Sequence, residues 1–210
     1  PDCQEALVLY VDADAALDGD GTSWAMAFKY LQDALNTAST TNTSYGRIEI
    51  WVAEGVYYPD EDEAGNVTND SDLETFQLQN KVSILGGFAG TESSRDARDP
   101  KTNVCILNGD IDDNDTEIEP DGFFTNTNNI IGNNSTHVVT GSITDSTAVL
   151  DGFTITAGDA RGNSFPDNYG GGFYNFGGFA TLSNLIFIGN TADEGGGIGN
   201  AASDPVFINV

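Results

Sequence analysis

Gly170-Gly171-Gly172-Phe173-Tyr174-Asn175 returns as Gly195-Gly196-Gly197-Ile198-Gly199-Asn200, 25 residues further on. Leu182-Ser183-Asn184-Leu185 returns as Phe207-Ile208-Asn209-Val210 at the same spacing. A third copy lies upstream: Leu150-Asp151-Gly152-Phe153-Thr154-Ile155-Thr156 aligns with Leu182-Ser183-Asn184-Leu185-Ile186-Phe187-Ile188 at an offset of 32. The additional residues fall in Asn163-Ser164-Phe165-Pro166-Asp167-Asn168, whose composition is that of a loop. A period in the twenties that absorbs insertions at one point is the mark of a solenoid.

The residues between the turns decide which solenoid. Each copy is a short apolar and β-branched run bounded by Gly, Asn, Asp and Ser, which reads as strand rather than helix. The alignment predicts that Leu182, Leu185 and Phe187 stack on Leu150, Phe153 and Ile155. Phe207 and Val210 continue the first two columns. Asn184 and Asn209 share a register, and stacked Asn side chains hydrogen-bond as ladders. The Gly triplets predict corners with positive φ or close backbone approach. One coil per repeat, with every strand parallel, makes an all-β solenoid of the parallel β-helix kind.

Phe187-Ile188-Gly189-Asn190 and Gly195-Gly196-Gly197-Ile198 resemble the F-x-x-N and G-G-x-I signatures of polymorphic outer-membrane proteins. Upstream, Tyr10-Val11-Asp12, Gly21-Thr22-Ser23-Trp24, the block from Ile50 to Pro59 and Gly86-Gly87-Phe88-Ala89-Gly90-Thr91-Glu92 are similar to blocks of secreted multi-repeat proteins. The resemblance runs from about Leu7 to Val210. It implies a right-handed parallel β-helix with the pectin-lyase-like fold, at a bacterial surface or among bacterial secretions. That fold hosts both enzymes and adhesins, so function has to come from particular sites.

Seven Lys and Arg stand against 33 Asp and Glu, a formal charge of −26. Such a chain repels nucleic acid and anionic membrane, which argues against both as partners, and it favours cations. A solvated acidic surface and divalent-cation binding are the two readings of that charge. No apolar run approaches the roughly 18 residues that a spanning helix needs. No leader stands before Pro1, the start expected of a processed, secreted protein. Cys3 and Cys105 are read as a disulfide between the N-terminal segment and a later coil, with two unlinked thiols as the alternative.

The reading takes residues 1–210 as one domain in three parts. In residues 1–45, Leu7 to Val11 is a strand, and Trp24, Phe28, Leu31 and Leu35 make one apolar face of a helix from about Ser23 to Ala38. A solenoid needs its end covered, and this helix is the cap. Residues 46–147 hold irregular coils with long acidic loops: strands at Ile48 to Val52, within Thr75 to Leu85 and at Val104 to Leu107, with Gly86-Gly87 as a corner. Residues 148–210 are the regular repeats. Phe207 and Val210 leave their columns open there. This predicts either further coils or head-to-tail self-association, with Leu7 and Leu9 of a neighbour's first strand added to the open edge.

Two acidic clusters carry candidate chemistry. Asp110, Asp112 and Asn114 alternate oxygen ligands as a Ca²⁺ loop does, although the sixth-position Gly and twelfth-position Glu of an EF-hand are missing. Asp12, Asp14, Asp18 and Asp20 form the second cluster. Each is either a Ca²⁺ site or a solvated turn. A lyase needs a base, and Arg161 is the one basic residue among the regular repeats. A hydrolase needs converging carboxylates, but the paired Asp, Gly-His-Gly and Arg-Ile-Lys motifs of β-helix polygalacturonases are missing, and His137 precedes Val138. Asn-x-Ser/Thr triplets at Asn42, Asn66, Asn69, Asn114, Asn133 and Asn134 are read as chance in an Asn- and Thr-rich chain. The expectation is a secreted structural or adhesive protein of a cell surface or extracellular filament. It is calcium-stabilised and meets polysaccharide, a host surface or its own copies; a polysaccharide lyase or hydrolase is the rival.

Overall fold

β-Branched and aromatic runs become strands, and every pairing between the named strands is parallel. The computed structural model describes residues 6–41, 46–64, 71–116 and 126–210. Strands are numbered along the chain. The longest sheet holds β1 (Leu7–Val11), β2 (Ile48–Ala53), β5 (Val82–Phe88), β8 (Val149–Asp151), β12 (Thr181–Ser183) and β16 (Val206–Ile208), in that order. A second sheet holds β3 (Gly55–Tyr57), β6 (Cys105–Asn108), β9 (Thr154–Thr156) and β13 (Ile186–Phe187). A third holds β4 (Phe76–Gln77), β7 (Val139–Thr140), β11 (Phe173–Phe176) and β15 (Ile198–Ala201). A short pair joins β10 (Asp159–Ala160) to β14 (Thr191–Ala192). From β2 onward the chain visits the three large sheets in a fixed order, with the short pair inserted in the last two rounds, and β16 returns to the first sheet.

Register makes the core. Leu9, Ile50, Ile84, Leu150, Leu182 and Phe207 pair in succession across the long sheet and form a single column. The first five are buried. Each such side chain contributes roughly 1.5–3 kcal/mol relative to exposure. Ile155 pairs with Phe187 as the repeat alignment predicts, and Phe153 and Leu185 are both buried in the same apolar cluster. One continuous apolar cluster includes these residues together with Phe76, Leu107 and Phe173.

The helical segment begins later than its apolar spacing predicts. The one α-helix among the described residues, α1, spans Leu31–Thr41, while Trp24–Met26 is a single 3-10 turn. Phe28 is the reason. Its N–H donates to Tyr10 O (2.9 Å) and its carbonyl accepts from Asp12 N–H (2.9 Å), so this stretch lies extended along β1. α1 buries Leu31, Ala34, Leu35 and Ala38 against β1, β2 and β4. Gln32 Nε2 donates to Pro59 O and Thr75 O, and Gln79 Nε2 donates to Leu35 O, which ties the helix to loops on two sides. Trp24 instead packs on the outer face of the long sheet with Tyr10, Trp51 and Phe88.

Gly86-Gly87 is not a corner but the interior of β5. A Cβ on Gly86 would fall 2.5 Å from Gly152 O, and one on Gly87 would fall 2.6 Å from Pro100 N. The two glycines let the neighbouring strand and the 95–101 excursion approach closely, and the pairing with β2 shifts register between Trp51 and Ala53. The Gly triplets do turn corners: Gly170 and Gly195 both have φ +67. Among the described residues no helix is long and apolar enough to cross a membrane.

Candidate functional site

The end of the long sheet at β16 is the first candidate. Phe207 is 43 % exposed although it occupies the column that holds Leu182 and Leu150. Val206, Ile208 and Val210 are exposed beside it. Val206 N–H donates to Ala180 O, and Ile208 O accepts from Asn184 N–H, so β16 hydrogen-bonds to β12 with its alternate residues. The alternation of a parallel ladder directs the Phe207 N–H and carbonyl away from β12. A groove of about 840 Å³ runs beside this edge, between Ile186 and Val210 on one side and Pro100 and Lys101 on the other.

A polar stack runs down to the same end. Asn209 Nδ2 donates to Asn184 Oδ1 (3.0 Å), and Asn184 Nδ2 donates to Asp151 Oδ1 (3.0 Å). The ladder inferred for the two Asn residues therefore ends on a carboxylate. Ser183 Oγ and Arg98 Nη2 also donate to Asp151, at 2.7 and 2.8 Å. Burial alone would raise this carboxyl, but the Ser183, Asn184 and Arg98 donors outweigh it and hold it below the usual range. Asn184 and Asn209 adopt φ of +50 and +55, the left-handed conformation Asn tolerates, in the place where the preceding round has Gly152. Asn175 and Asn200 form a second rung at 2.9 Å, a pairing that the aligned repeats already contain.

At the other end Leu9 is buried in the column and Leu7 is partly buried. The outward backbone groups of Tyr10 are taken: its N–H by Gly21 O (3.0 Å) and its carbonyl by Phe28 N–H. As placed, β1 has no open edge at Tyr10. To add to another copy's β16 it would first have to shed residues 21–28.

The acidic loop at Asp110 folds around its own carboxylates. Asp110 accepts from the N–H groups of Asn114 and Asp115, both at 3.2 Å. Asp112 Oδ2 accepts from Asn114 Nδ2 and Asn133 N–H, and Asp115 accepts from Ile131 N–H and Asn134 Nδ2. Burial, and then the Asp115 charge, push the Asp110 carboxyl up to about 6. Asp12, Asp14, Asp18 and Asp20 do not share one centre of coordination. Asp12 Oδ1 accepts from Asp14 N–H, Asp18 N–H donates to Glu63, and Asp20 accepts from the hydroxyl and N–H of Thr22. The Thr22 hydroxyl lowers the Asp20 carboxyl. Among the described residues no three His, Cys, Asp or Glu side chains converge to hold a metal ion.

Cys105 is a buried thiol with no disulfide partner among the described residues; its Sγ donates to Ala53 O (3.1 Å), and burial pushes it up to about 12. Its expected partner, Cys3, lies outside the described residues, as do Asn42, Asn66 and Asn69. Arg161 is clasped by Asp159, with Nε to Oδ1 at 2.7 Å and Nη2 to Oδ2 at 2.6 Å. The bonds to Asp159 raise its affinity for the proton, which is the reverse of what a base needs. This pair borders a cleft of about 290 Å³ with Thr136, Asn163 and Asp167. His137 is next to it in sequence, stacked on Tyr174 at 4.6 Å and bonded through Nδ1 to Gly170 O. Burial lowers its proton affinity. Neither the spacing nor the residue types single out this cleft, because its walls come from separate rounds of the chain. Comparison with known proteins returned no matching family model, no matching curated protein and no matching solved structure.

Proposed function

We propose that the chain is a right-handed parallel β-helix, closed at its N-terminal end by α1, that serves as a secreted structural or adhesive element of a cell surface or extracellular filament. The observation that carries this reading is the column from Leu9 to Phe207: five buried positions and a sixth left exposed on an open edge. The fixed order in which the chain visits its parallel sheets supports a helical winding, and parallel crossovers are right-handed in about 98% of cases. An exposed edge with apolar residues favours a further parallel strand carrying an apolar residue opposite Phe207 and an Asn opposite Asn209. Self-association of the isolated chain through that edge requires either that residues 21–28 of a neighbour open to free β1 or that two β16 edges meet. Polysaccharide cleavage is the competing function, and the clasped Arg161 weighs against a lyase that would use it as base.

Light scattering and electron microscopy across a concentration series test the assembly. The wild type is expected to associate end to end, and Phe207→Lys combined with Ile208→Lys to remain monomeric. A wild type that stays monomeric at the highest concentrations sinks it. Turnover of acidic or neutral polysaccharides that Arg161→Ala abolishes would replace the reading with a lyase. Calcium stabilisation through Asp110, Asp112 and Asn114 belongs to the same proposal, because a cation would offset the burial of like charges at Asp110 and Asp115. At a hundred times its dissociation constant the ion adds about 2.7 kcal/mol. Equal melting temperatures in calcium and in chelator, at matched ionic strength, remove it.

A further inference from the structure

A second surface lies on the third sheet, away from the open edge. Phe165 sits in a short loop closed by a hydrogen bond from Gly162 N–H to Asp167 O (3.0 Å). Its ring meets Tyr169, Tyr174 and Phe176 edge-on at 5.8, 6.0 and 6.0 Å. These rings are held in place, since His137 stacks on Tyr174 and the Tyr169 hydroxyl donates to Glu194. Phe165 is nevertheless 51 % exposed and Phe176 45 % exposed. The next strand places only Gly199 and Ala201 opposite Tyr174 and Phe176, residues too small to cover them. The same loop borders the 290 Å³ cleft, where the Arg161–Asp159 pair stands with Asn163, Asp167, Thr136 and Asp72.

We infer that the ring cluster and this cleft together bind a neutral polysaccharide chain. Exposed aromatic rings fixed by their neighbours offer flat apolar surface to the C–H faces of sugar rings. The carboxylates accept from sugar hydroxyls, and the amide and guanidinium donate to them, which is the mix of apolar wall and few polar groups that small-ligand sites use. A net charge of −26 repels acidic polymers and leaves neutral ones. A protein partner is disfavoured because docking would strip water from Asp72, Asp159 and Asp167, and interface cores are depleted of such residues. A hydrated sugar chain brings its own donors to them. Tyr169 and Tyr174 are already held by Glu194 and His137, which limits the conformational entropy lost on binding.

Affinity electrophoresis and titration calorimetry of the 210-residue chain against hydroxyethylcellulose, galactomannan and dextran test this, with polygalacturonate as the acidic comparison. At least one neutral polymer is expected to retard the protein. Phe165→Ala and Arg161→Ala are each expected to weaken binding about tenfold or more. Phe165→Trp, which keeps an exposed ring, retains binding and so separates lost contact from lost folding. Ile208→Lys on the open edge leaves binding unchanged, so failure of end-to-end association and failure of this site are told apart. The inference is overturned if no neutral polymer binds, if both alanine variants bind like the wild type, or if polygalacturonate binds more tightly.

Discussion

Tyr10 and Phe207 stand at opposite edges of the same six-stranded sheet, and their surroundings differ in every respect. Tyr10 has both outward backbone groups bonded, to Gly21 and Phe28, and its ring packs edge-on against Trp24 and Trp51. Phe207 lies on a strand bonded to β12, with Val206 and Ile208 exposed on either side of it. The first edge is closed three times over: by the extended Phe28 segment along the strand, by α1 against the core, and by the Trp24 cluster on the outer face. A strand edge and a core column are protected only when both the backbone and the side chains are covered. The second edge has neither cover.

The largest effect expected from this contrast is on stability. Leu150→Ala, in the middle of the column, is expected to cost about 2–5 kcal/mol in urea unfolding. Phe207→Ala, in the same column at the open end, is expected to stay within about 1 kcal/mol, since its side chain has little packing to lose. Equal losses would mean that the edge is covered in solution. Next comes Gly86→Ala, whose Cβ meets the Gly152 carbonyl in the interior; overpacking of this kind costs about 1–3 kcal/mol. Gly177→Ala lacks such a neighbour and is limited by its φ of +64, so it should cost less than Gly86→Ala in the same assay.

Two carboxylates sharpen the contrast through pH. Asp151, inside the stack, is held below its ordinary range, so its contribution is present above about 3.9, the unfolded value, and is lost as pH falls through the lower folded value. Asp151→Asn should therefore destabilise at pH 7 and converge with wild type in acid. Asp110, in the loop, is pushed up to about 6, so its effect has the opposite sign. Its favourable share is present below about 3.9 and is lost as pH rises to 6. Asp110→Asn should gain on the wild type across that interval. Melting temperatures of the two variants from pH 3 to 8 check both, and parallel curves would refute the assignment. The smallest effect expected is Asn209→Ala, at the exposed end of the ladder, against Asn184→Ala one round inside. The inner substitution should lower the melting temperature more, because Asn184 both donates to Asp151 and accepts from Asn209.

Much of the fold was legible in the sequence because a stacked repeat writes its register directly. The alignment of Leu150, Leu182 and Phe207 is the pairing observed, and so is the Asn184–Asn209 rung. The helix start was misread because the spacing of Trp24, Phe28, Leu31 and Leu35 satisfies a helical face, whereas the backbone of Phe28 answers to β1. Gly86-Gly87 was misread for a related reason: a glycine pair marks either a turn or a close approach, and only the neighbour at Gly152 decides. The alternating acids at 110–114 announced a loop correctly, and both Asp110 oxygens and Asp112 Oδ2 accept from nearby backbone N–H groups.

By itself the sequence determined strand type, parallel register, the corners at the repeated Gly triplets and the strong acidity, since each follows from local composition and a fixed spacing. Only the tertiary structure decided which edge is closed, which carboxylate is lowered and which is raised, that Phe165 meets Tyr174, and that Arg161 and Asp159 line a cleft bordered by the Phe165 loop. Those outcomes depend on residues brought together from separate rounds of the chain. Covering an edge and shifting a pKa are effects of neighbours in space, and spacing along one strand carries no record of them.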